Sequence, residues 1–221
     1  MKYELVIFDL DGTILDTLDD LADSMNYALA KYGYPTRTVD EIRSFVGNGL
    51  LILTRRAIAP ETDETAIQTV LAEQKAYYKE HCADKTKPYD GVIELLEELK
   101  AARYKLAVVS NKADYAVQIL CEQYFPEIFH LTVGEKEGVR RKPAPDAVYA
   151  VLKELQVEKA KAVYVGDSEV DIQTAENAQM QAVLVDWGFR DMHFLKEKGA
   201  KILVHTVEEL KSALITEAFL L

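Results

Sequence analysis

Short apolar runs that alternate with amphipathic helical patterns constrain the fold of this chain more than any other feature. Four runs have the length and β-branched content of buried strands, at residues 5–8, 106–109, 162–165 and 182–185. Between them, apolar residues recur at spacings of three and four, as expected for helices with one buried face. Strands that are apolar throughout are typical of a parallel sheet covered on both faces. We therefore predict an α/β fold built on a parallel sheet.

Residues 16–89 break this alternation, because they contain several helical patterns and no convincing strand. One of these helices has a clear start signal, since Thr38 and Glu41 have the spacing of a capping box. A chain of 221 residues is long enough for one catalytic core and a modest insertion. The sequence predicts a core formed by residues 1–15 and 90–221, interrupted by an all-helical module at 16–89.

Composition excludes several classes of function. The formal net charge is −11 and no block of Lys and Arg stands out, so we expect no nucleic-acid partner. No apolar run approaches the roughly 20 residues of a membrane-spanning helix. Cys82 and Cys121 are the only cysteines and lie far apart in sequence, which indicates buried thiols without a disulfide or zinc site. The first residues lead directly into a strand and leave no room for a signal peptide, which favours the cytoplasm.

Polar residues follow the apolar runs at the positions where ligand chemistry collects in open parallel sheets, beyond the carboxyl ends of the strands. Taken alone, each fragment is compatible with a turn, a helix cap or a loop. Their joint occurrence at the same end of the predicted strands is much harder to explain by structure alone. The fragments are Asp9-Leu10-Asp11-Gly12-Thr13 after the first run, Ser110-Asn111-Lys112 after the second, Lys142-Pro143 before a helix, and Gly166-Asp167-Ser168-Glu169-Val170-Asp171 after a later run.

These four fragments, in this order, resemble the motifs of the haloacid dehalogenase superfamily, and specifically its phosphoglycolate phosphatase-like branch. The resemblance covers nearly the whole chain, and its most specific part is the first motif, Phe8 to Thr13. It implies a Rossmann-like parallel sheet with an all-helical cap inserted after that motif. The inserted cap agrees with the helical module that periodicity alone places at 16–89.

The resemblance also implies a magnesium-dependent phosphatase that forms an aspartyl-phosphate on Asp9. Asp9 and Asp167 would supply carboxylate oxygens to Mg²⁺, a hard cation that takes oxygen ligands, and the Asp11 main-chain carbonyl would be a third ligand. Asp171 would lie near the metal, either as a direct ligand or through water. The Asp11 side chain would protonate the leaving alkoxide and then deprotonate the attacking water.

Other residues would bind the phosphoryl group. Lys142 would place a positive charge beside it, while Ser110 and the backbone N–H of Asn111 would donate hydrogen bonds. Thr13 is expected to orient the first loop, and Asp16 is expected to be the N-cap of the first inserted helix.

Within the insertion, Gly47, Asn48 and Gly49 resemble the family's substrate-specificity loop, although a helix C-cap explains the glycines equally well. We expect the insertion to move as a lid, with hinges near 16–18 and 89–91. The segment Trp187–Arg190 follows a strand, and packing beside the active site is its expected role.

Three other activities fit parts of this pattern. A phosphoacceptor signalling domain would not need Asp11 or a large helical insertion, and a dehalogenase is expected to lack Asp11. A sugar phosphomutase would share most of the motifs. The expected partner is a small phosphorylated metabolite, with phosphoglycolate first and pyrophosphate or a sugar phosphate as alternatives. A monomer and a homodimer are both compatible with the sequence.

Overall fold

The computed structural model describes residues 2–215, and the chain separates into two compact units. One unit, the core, consists of the chain up to Leu15 and from Pro88 onward; the other, the helical insertion, is Asp16–Lys87. Within residues 2–215, no helix combines the length and the apolarity needed to cross a membrane. Cys82 and Cys121 are both buried, as the sequence predicts, and no disulfide joins them.

Most of the strands belong to the core. In chain order, the strands of the described residues are β1 (Leu5–Phe8), β2 (Leu15–Asp16), β3 (Lys87–Pro88), β4 (Lys105–Ala113), β5 (Leu131–Glu135), β6 (Ala162–Gly166), β7 (Gln181–Val185) and β8 (Leu203–Val204). Six of them form one sheet in the order β5-β4-β1-β6-β7-β8, and every neighbouring pair is parallel. Strands β2 and β3 pair separately, where the chain leaves and rejoins the core. The predicted α/β fold with a parallel sheet is confirmed.

The central strand β1 is flanked by β4 on one side and β6 on the other, so Leu5 pairs with both Lys105 and Ala162. All four residues of β1 are completely buried. The chain builds outward from β1 first through β4 and β5 and then in the opposite direction through β6, β7 and β8. The order therefore reverses beside β1, and this switch point is where open α/β sheets place their ligands.

Helices connect the strands and cover the sheet. In chain order they are α1 (Leu18–Lys31), α2 (Val39–Phe45), α3 (Gly49–Ala57), α4 (Glu64–His81), α5 (Val92–Ala101), α6 (Asp114–Tyr124), α7 (Asp146–Glu154), α8 (Glu169–Ala178), α9 (Met192–Glu197) and α10 (Val207–Ile215), with a 3₁₀ turn at Lys159–Lys161. Leu5 and Ile7 pack in one apolar cluster with Val148 and Val151 of α7. Since the opposite face of β1 is equally buried, apolar contacts cover both faces of the sheet at its centre.

Helices α1 to α4 form the insertion, and no strand occurs between residues 17 and 86, all of which are described. Helix α2 begins with the predicted capping box: the Thr38 hydroxyl accepts from the N–H of Glu41, whose carboxylate accepts from the N–H of Thr38. Two such reciprocal bonds satisfy donors that a helix start otherwise leaves open. Sequence pattern and local structure agree here because every contact lies within one turn.

Other local predictions fail. Strands β5 and β8 escape the sequence analysis, because β5 is only partly buried and β8 has two residues. The prediction of Asp16 as the N-cap of α1 is wrong. Asp16 belongs to β2, so the helix begins one residue later with Thr17 as its N-cap, and Asp16 Oδ1 accepts only a long 3.4 Å bond from the N–H of Leu18.

Candidate active site

The loop that follows β1 places Asp9 and Asp11 at the switch point of the sheet. The N–H of Asp9 continues the ladder by donating to the Val165 carbonyl at 2.8 Å, and Asp9 Oδ1 accepts from the N–H of Leu10 at 2.7 Å. Gly12 then turns the chain with a φ of +79°, and a Cβ at that position would lie 2.3 Å from Asp167 Oδ2. Only glycine allows this turn to approach Asp167 so closely.

Lys142 is the cation beside Asp9. Its Nζ lies 2.9 Å from Asp9 Oδ2 and 2.8 Å from Asp171 Oδ1, and it donates to the Tyr164 hydroxyl at 3.0 Å. The side chain of Lys142 is 2% exposed. Burial alone would lower the pKa of Lys142, but the charges of Asp171 and Asp9 outweigh it and hold this pKa well above its usual range. Lys142 is therefore a fixed positive charge next to Asp9.

Asp171 has protein donors at both carboxylate oxygens. Its Oδ1 accepts from Lys142 and from the Tyr164 hydroxyl, the latter at 3.2 Å. Its Oδ2 accepts from the N–H groups of Asp167 and Ser168 and from the Ser168 hydroxyl, the last at 2.6 Å. These contacts make Asp171 both part of the capping box of α8 and the partner that orients Lys142.

Three buried carboxyl groups meet here, since Asp9, Asp167 and Asp171 each offer an oxygen within 4.8 Å of the others. Burial raises the pKa of Asp9 from 3.8 to about 7; Lys142 opposes the shift, and the charges of Asp171 and Asp11 reinforce it. Burial, followed by the charges of Asp171 and Asp9, also raises the pKa of Asp167 well above its usual range. The cluster consequently favours a bound cation, because a positive charge would favour the ionised forms of Asp9 and Asp167.

A second ion pair lies on the same loop, between Asp11 and Lys112. Lys112 Nζ is 2.7 Å from Asp11 Oδ1, and the two side chains are 4% and 18% exposed. Lys112 lies near the end of β4, directly after Ser110 and Asn111. Asp9 and Asp11 thus contact different lysines, Lys142 and Lys112, which come from different parts of the chain.

The end of β4 also brings Ser110 and Asn111 into the site, where both are buried. Asn111 Nδ2 donates to the main-chain carbonyl of Lys142 at 3.1 Å, which ties β4 to the lysine loop. The Ser110 hydroxyl accepts from the N–H of Lys112 at 3.2 Å. Of the residues singled out in the sequence, Asp9, Asp11, Ser110, Asn111, Lys142, Asp167 and Asp171 all lie at this edge of the core.

The segment after β7 packs against the first loop, as the sequence predicts. Trp187 Nε1 donates to the Thr13 carbonyl at 3.1 Å, and the N–H of Phe189 donates to Asp167 Oδ2 at 2.7 Å. Thr13 Oγ1 donates to the other oxygen of Asp167 at 3.2 Å. A Cβ on Gly188 would lie 2.2 Å from the Gly12 carbonyl oxygen. The carboxylate of Asp167 is therefore held from two sides.

Gly47 and Asn48 lie between α2 and α3 of the helical insertion, and Gly49 is the first residue of α3. Gly47 has a φ of +110° and Gly49 a φ of +78°, both in the region that favours glycine. Helix α2 ends at Phe45 with Val46 as its C-cap, and Asn48 is the N-cap of α3 without a side-chain capping bond. A helix-end role accounts for the backbone of these residues, and a substrate role stays a prediction.

Two residues of the site escape the sequence analysis as functional residues. Tyr164 lies inside β6, and its hydroxyl donates to the Val109 carbonyl at 3.1 Å while contacting Lys142 and Asp171. The one available signal is a tyrosine in an otherwise apolar buried strand, since a buried hydroxyl needs a partner. Lys112 has no comparable signal, because only the fold brings it to Asp11.

Comparison with known proteins places this geometry in a family. The sequence pattern of the haloacid dehalogenase-like hydrolases matches residues 6–185. A phosphoglycolate phosphatase from Pseudomonas savastanoi pv. phaseolicola is 32% identical over 214 residues, which cover 94% of this chain and 78% of that protein. A phosphoglycolate phosphatase from Psychrobacter arcticus is 35% identical over 197 residues, covering 86% of each chain.

Crystal structures of similar proteins support the same family assignment. The crystal structure of a candidate phosphoglycolate phosphatase from Lactobacillus delbrueckii subsp. bulgaricus is 42% identical and superposes with a TM-score of 0.94, covering 98% of this chain and 100% of that one. That of a candidate phosphoglycolate phosphatase from Haemophilus somnus is 28% identical with a TM-score of 0.86, covering 92% and 94%. This chain belongs to the haloacid dehalogenase-like hydrolase family, in its phosphoglycolate phosphatase-like branch.

Proposed function

We propose that this phosphatase is magnesium-dependent and hydrolyses a small phosphate monoester through an aspartyl-phosphate formed on Asp9. The observation that carries the proposal is the setting of Asp9. Its carboxylate lies at the end of the central strand, 2.9 Å from the buried ammonium of Lys142 and within 4.8 Å of two further carboxylates. A carboxylate nucleophile can attack an anionic phosphoryl group only where positive charge offsets their repulsion.

The donor set fits magnesium, because all of the ligands are oxygens and because burial disfavours ionisation of Asp9 and Asp167 in the absence of a cation. Asp9, Asp167 and the Asp11 main-chain carbonyl would hold the ion. When bound, the ion supplies positive charge to the phosphoryl oxygens. Both oxygens of Asp171 already accept hydrogen bonds from protein donors, which favours an indirect role for Asp171, through Lys142 or a water.

In the first half-reaction, a carboxylate oxygen of Asp9 forms a bond to phosphorus while the bond from phosphorus to the ester oxygen breaks. In its protonated form, Asp11 donates the proton to that oxygen, so the leaving group departs as an alcohol and Asp11 is left ionised beside Lys112. Asp11 then takes a proton from a water that attacks the aspartyl-phosphate, which releases inorganic phosphate and restores Asp9. Lys142, the Ser110 hydroxyl and the N–H of Asn111 bind the phosphoryl oxygens throughout.

Phosphoglycolate is the proposed substrate, because the relatives that are 32% and 35% identical over most of the chain are phosphoglycolate phosphatases. Pyrophosphate and sugar phosphates are the alternatives, as is phosphoryl transfer to a second sugar hydroxyl. Substrate selection by Gly47, Asn48 and Gly49 and closure of the insertion as a lid belong to the same proposal. A cytoplasmic location is also proposed, and the burial of Cys82 and Cys121 without a disulfide between them is compatible with a reducing compartment. Whether the enzyme acts as a monomer or a homodimer does not affect this scheme.

A panel of phosphate esters tests the proposal directly. Purified protein is assayed for phosphate release from phosphoglycolate, pyrophosphate and several sugar phosphates, with Mg²⁺ and after exhaustive chelation. We expect phosphoglycolate to have the highest kcat/KM and chelation to abolish turnover. Undiminished hydrolysis without metal would contradict the proposed mechanism, and sugar bisphosphate formation would instead support the phosphomutase alternative.

A further inference from the structure

The ion pair between Lys112 and Asp11 points to the chemical class of the substrate. We propose that Lys112 is a specificity-determining residue that favours substrates whose leaving group carries an anionic group, such as a carboxylate, close to the ester oxygen. This rests on the proposed function, in which Asp11 faces the leaving group. Lys112 Nζ lies 2.7 Å from Asp11 Oδ1, with 4% of its side chain exposed.

The phosphoryl side of the site already has its own lysine. Lys142 contacts Asp9 and Asp171 and is as buried as Lys112, so Asp9 does not need a second ammonium group. Lys112 comes from a different strand and contacts the other carboxylate of the loop. Burying an ammonium group is costly unless charge compensates it. Because Lys112 contacts Asp11 and not Asp9, we assign its charge to the leaving group of the substrate and not to the phosphoryl group.

Distance supports this explanation. A group that Asp11 protonates lies one hydrogen bond from the Asp11 carboxylate, and Lys112 Nζ lies one hydrogen bond from the same carboxylate. An anionic group two bonds from the ester oxygen then falls within on the order of 4–6 Å of Nζ, where opposite charges interact appreciably. A neutral substituent at that position gains nothing from Lys112, and a cationic one is repelled.

The more exposed member of the pair is Asp11, with 18% of its side chain exposed against 4% for Lys112. Substrate therefore reaches the carboxylate first, while the ammonium stays behind it as a fixed charge. In this arrangement Lys112 distinguishes substrates by the charge of the leaving group and does not need to contact the phosphoryl oxygens. It complements any selection made by the helical insertion.

Matched substrates test the proposal. Phosphoglycolate and 2-hydroxyethyl phosphate differ only in a carboxylate against a hydroxymethyl group, so the ratio of their kcat/KM values isolates the contribution of that charge. We compare the wild type with Lys112→Met, which removes the ammonium and keeps an unbranched chain. The matched control is Lys105→Met, at the other end of the same strand, where Nζ donates to the Leu155 carbonyl.

In the wild type we expect the ratio to favour phosphoglycolate, and in Lys112→Met we expect the preference to fall by roughly tenfold to a hundredfold, the range expected when an opposite charge at that distance is lost from a partly buried site. Lys105→Met should keep the wild-type ratio, and Lys112→Arg should retain part of the preference. An equal loss on both substrates in Lys112→Met would overturn the proposal, because it would show that Lys112 only positions Asp11.

The wild type alone gives a second test, which does not depend on the folding of any variant. The proposal predicts that kcat/KM falls from phosphoglycolate to 2-hydroxyethyl phosphate to 2-aminoethyl phosphate, whose leaving group is cationic. The opposite order, or no order, would overturn it while leaving the phosphatase proposal intact. Absence of hydrolysis of every ester would instead refute the proposed function itself.

Discussion

Two buried carboxylates, Asp9 in the core and Asp20 in the helical insertion, show how different the two units are. Asp20 is 2% exposed and accepts from the N–H of Lys85 at 3.0 Å, from the N–H of Thr86 at 2.8 Å and from the Thr86 hydroxyl at 2.7 Å. Asp9 is 8% exposed and accepts from one backbone N–H and from Lys142, with two more acids within 4.8 Å.

The comparison separates burial for structure from burial for chemistry. Asp20 has enough donors to satisfy its charge, and it fastens α1 to the segment that ends the insertion. Burial raises the pKa of Asp9 to about 7, Lys142 only partly opposes this shift because it also contacts Asp171, and the charges of Asp171 and Asp11 add to it. A carboxylate that its own protein leaves partly uncompensated is suited to bind a cation or a phosphoryl group.

Exchanging each carboxylate for its amide should give opposite results. Asp9→Asn removes the proposed nucleophile, so kcat should fall by at least about 10⁴-fold, while the free energy of unfolding of the metal-free protein should not fall, because the amide replaces a carboxylate that burial destabilises. Asp20→Asn leaves buried donors without an acceptor and should cost about 2–3 kcal/mol of stability, with kcat measured well below its Tm close to the wild type. Denaturant unfolding and steady-state kinetics on both variants check this. Loss of stability in Asp9→Asn with retained turnover would reverse the comparison.

The pH dependence of the free energy of unfolding gives a second test of how Asp9 differs from Asp20. Between the ordinary carboxyl pKa of 3.8 and the raised pKa of about 7, folded Asp9 binds more protons than unfolded Asp9, so its ionisation makes the metal-free protein less stable as pH rises. From about pH 5 to about pH 8, the chelated wild type should lose ~2–3 kcal/mol relative to Asp9→Asn.

Chemical unfolding of both proteins with a chelator across this range measures the difference. Added Mg²⁺ should then stabilise the wild type more at the alkaline end than at the acid end. A difference between the two proteins that stays constant with pH would show that Asp9 is not destabilised by burial.

Gly188 tests whether Asp167 must be held in place. A Cβ there would lie 2.2 Å from the Gly12 carbonyl oxygen and 2.4 Å from Asp167 Oδ2, so Gly188→Ala should displace both groups. We expect Mg²⁺ affinity, measured by calorimetry, to fall by roughly 10–100-fold, with kcat also reduced. Gly138→Ala is the control, because its φ of +80° makes alanine strained there while nothing lies within 4 Å. Equal Mg²⁺ affinities in the two variants would rule out this role.

The smallest effect is expected at Tyr164. Tyr164→Phe removes the hydroxyl that contacts Lys142 and the Val109 carbonyl and should cost about 1–2 kcal/mol of stability, with kcat lowered severalfold because Asp171 still orients Lys142. Tyr149→Phe is the matched control, since its exposed hydroxyl makes one 3.2 Å bond to the Asn177 carbonyl. If kcat were as high in Tyr164→Phe as in Tyr149→Phe, the Tyr164 hydroxyl would have no role in the active site.

The sequence predicts the centre of the fold because its signals are local. The run Leu5–Phe8 is apolar on both faces, so a buried parallel strand is the one structure that satisfies it, and the acids that follow must lie at the strand's end. Asp9 and Asp167 could be singled out for this reason, whereas the role of Lys142, which precedes a helix, comes from the family resemblance. The same reasoning explains the capping box at Thr38, whose partners are three residues apart.

Contacts between residues distant in sequence could not be predicted. Lys112 and Asp11 are 101 residues apart, and nothing in either motif states that they pair. Tyr164 looks like any strand residue until the fold places its hydroxyl beside Lys142. The edge strand β5 lacks an apolar run because its outer side is only partly buried, so its strand character comes from pairing with β4.

The most direct test of the central claim is to find the phosphoryl group on the protein. Asp11→Asn, which should phosphorylate slowly and dephosphorylate even more slowly, is mixed with an activated phosphate ester and Mg²⁺, quenched in acid and analysed by peptide mass spectrometry. The account predicts one phosphoryl group per chain, located on Asp9, and none in a variant that also carries Asp9→Asn. Release of product without a phosphorylated peptide, or a phosphoryl group on any other residue, would contradict it.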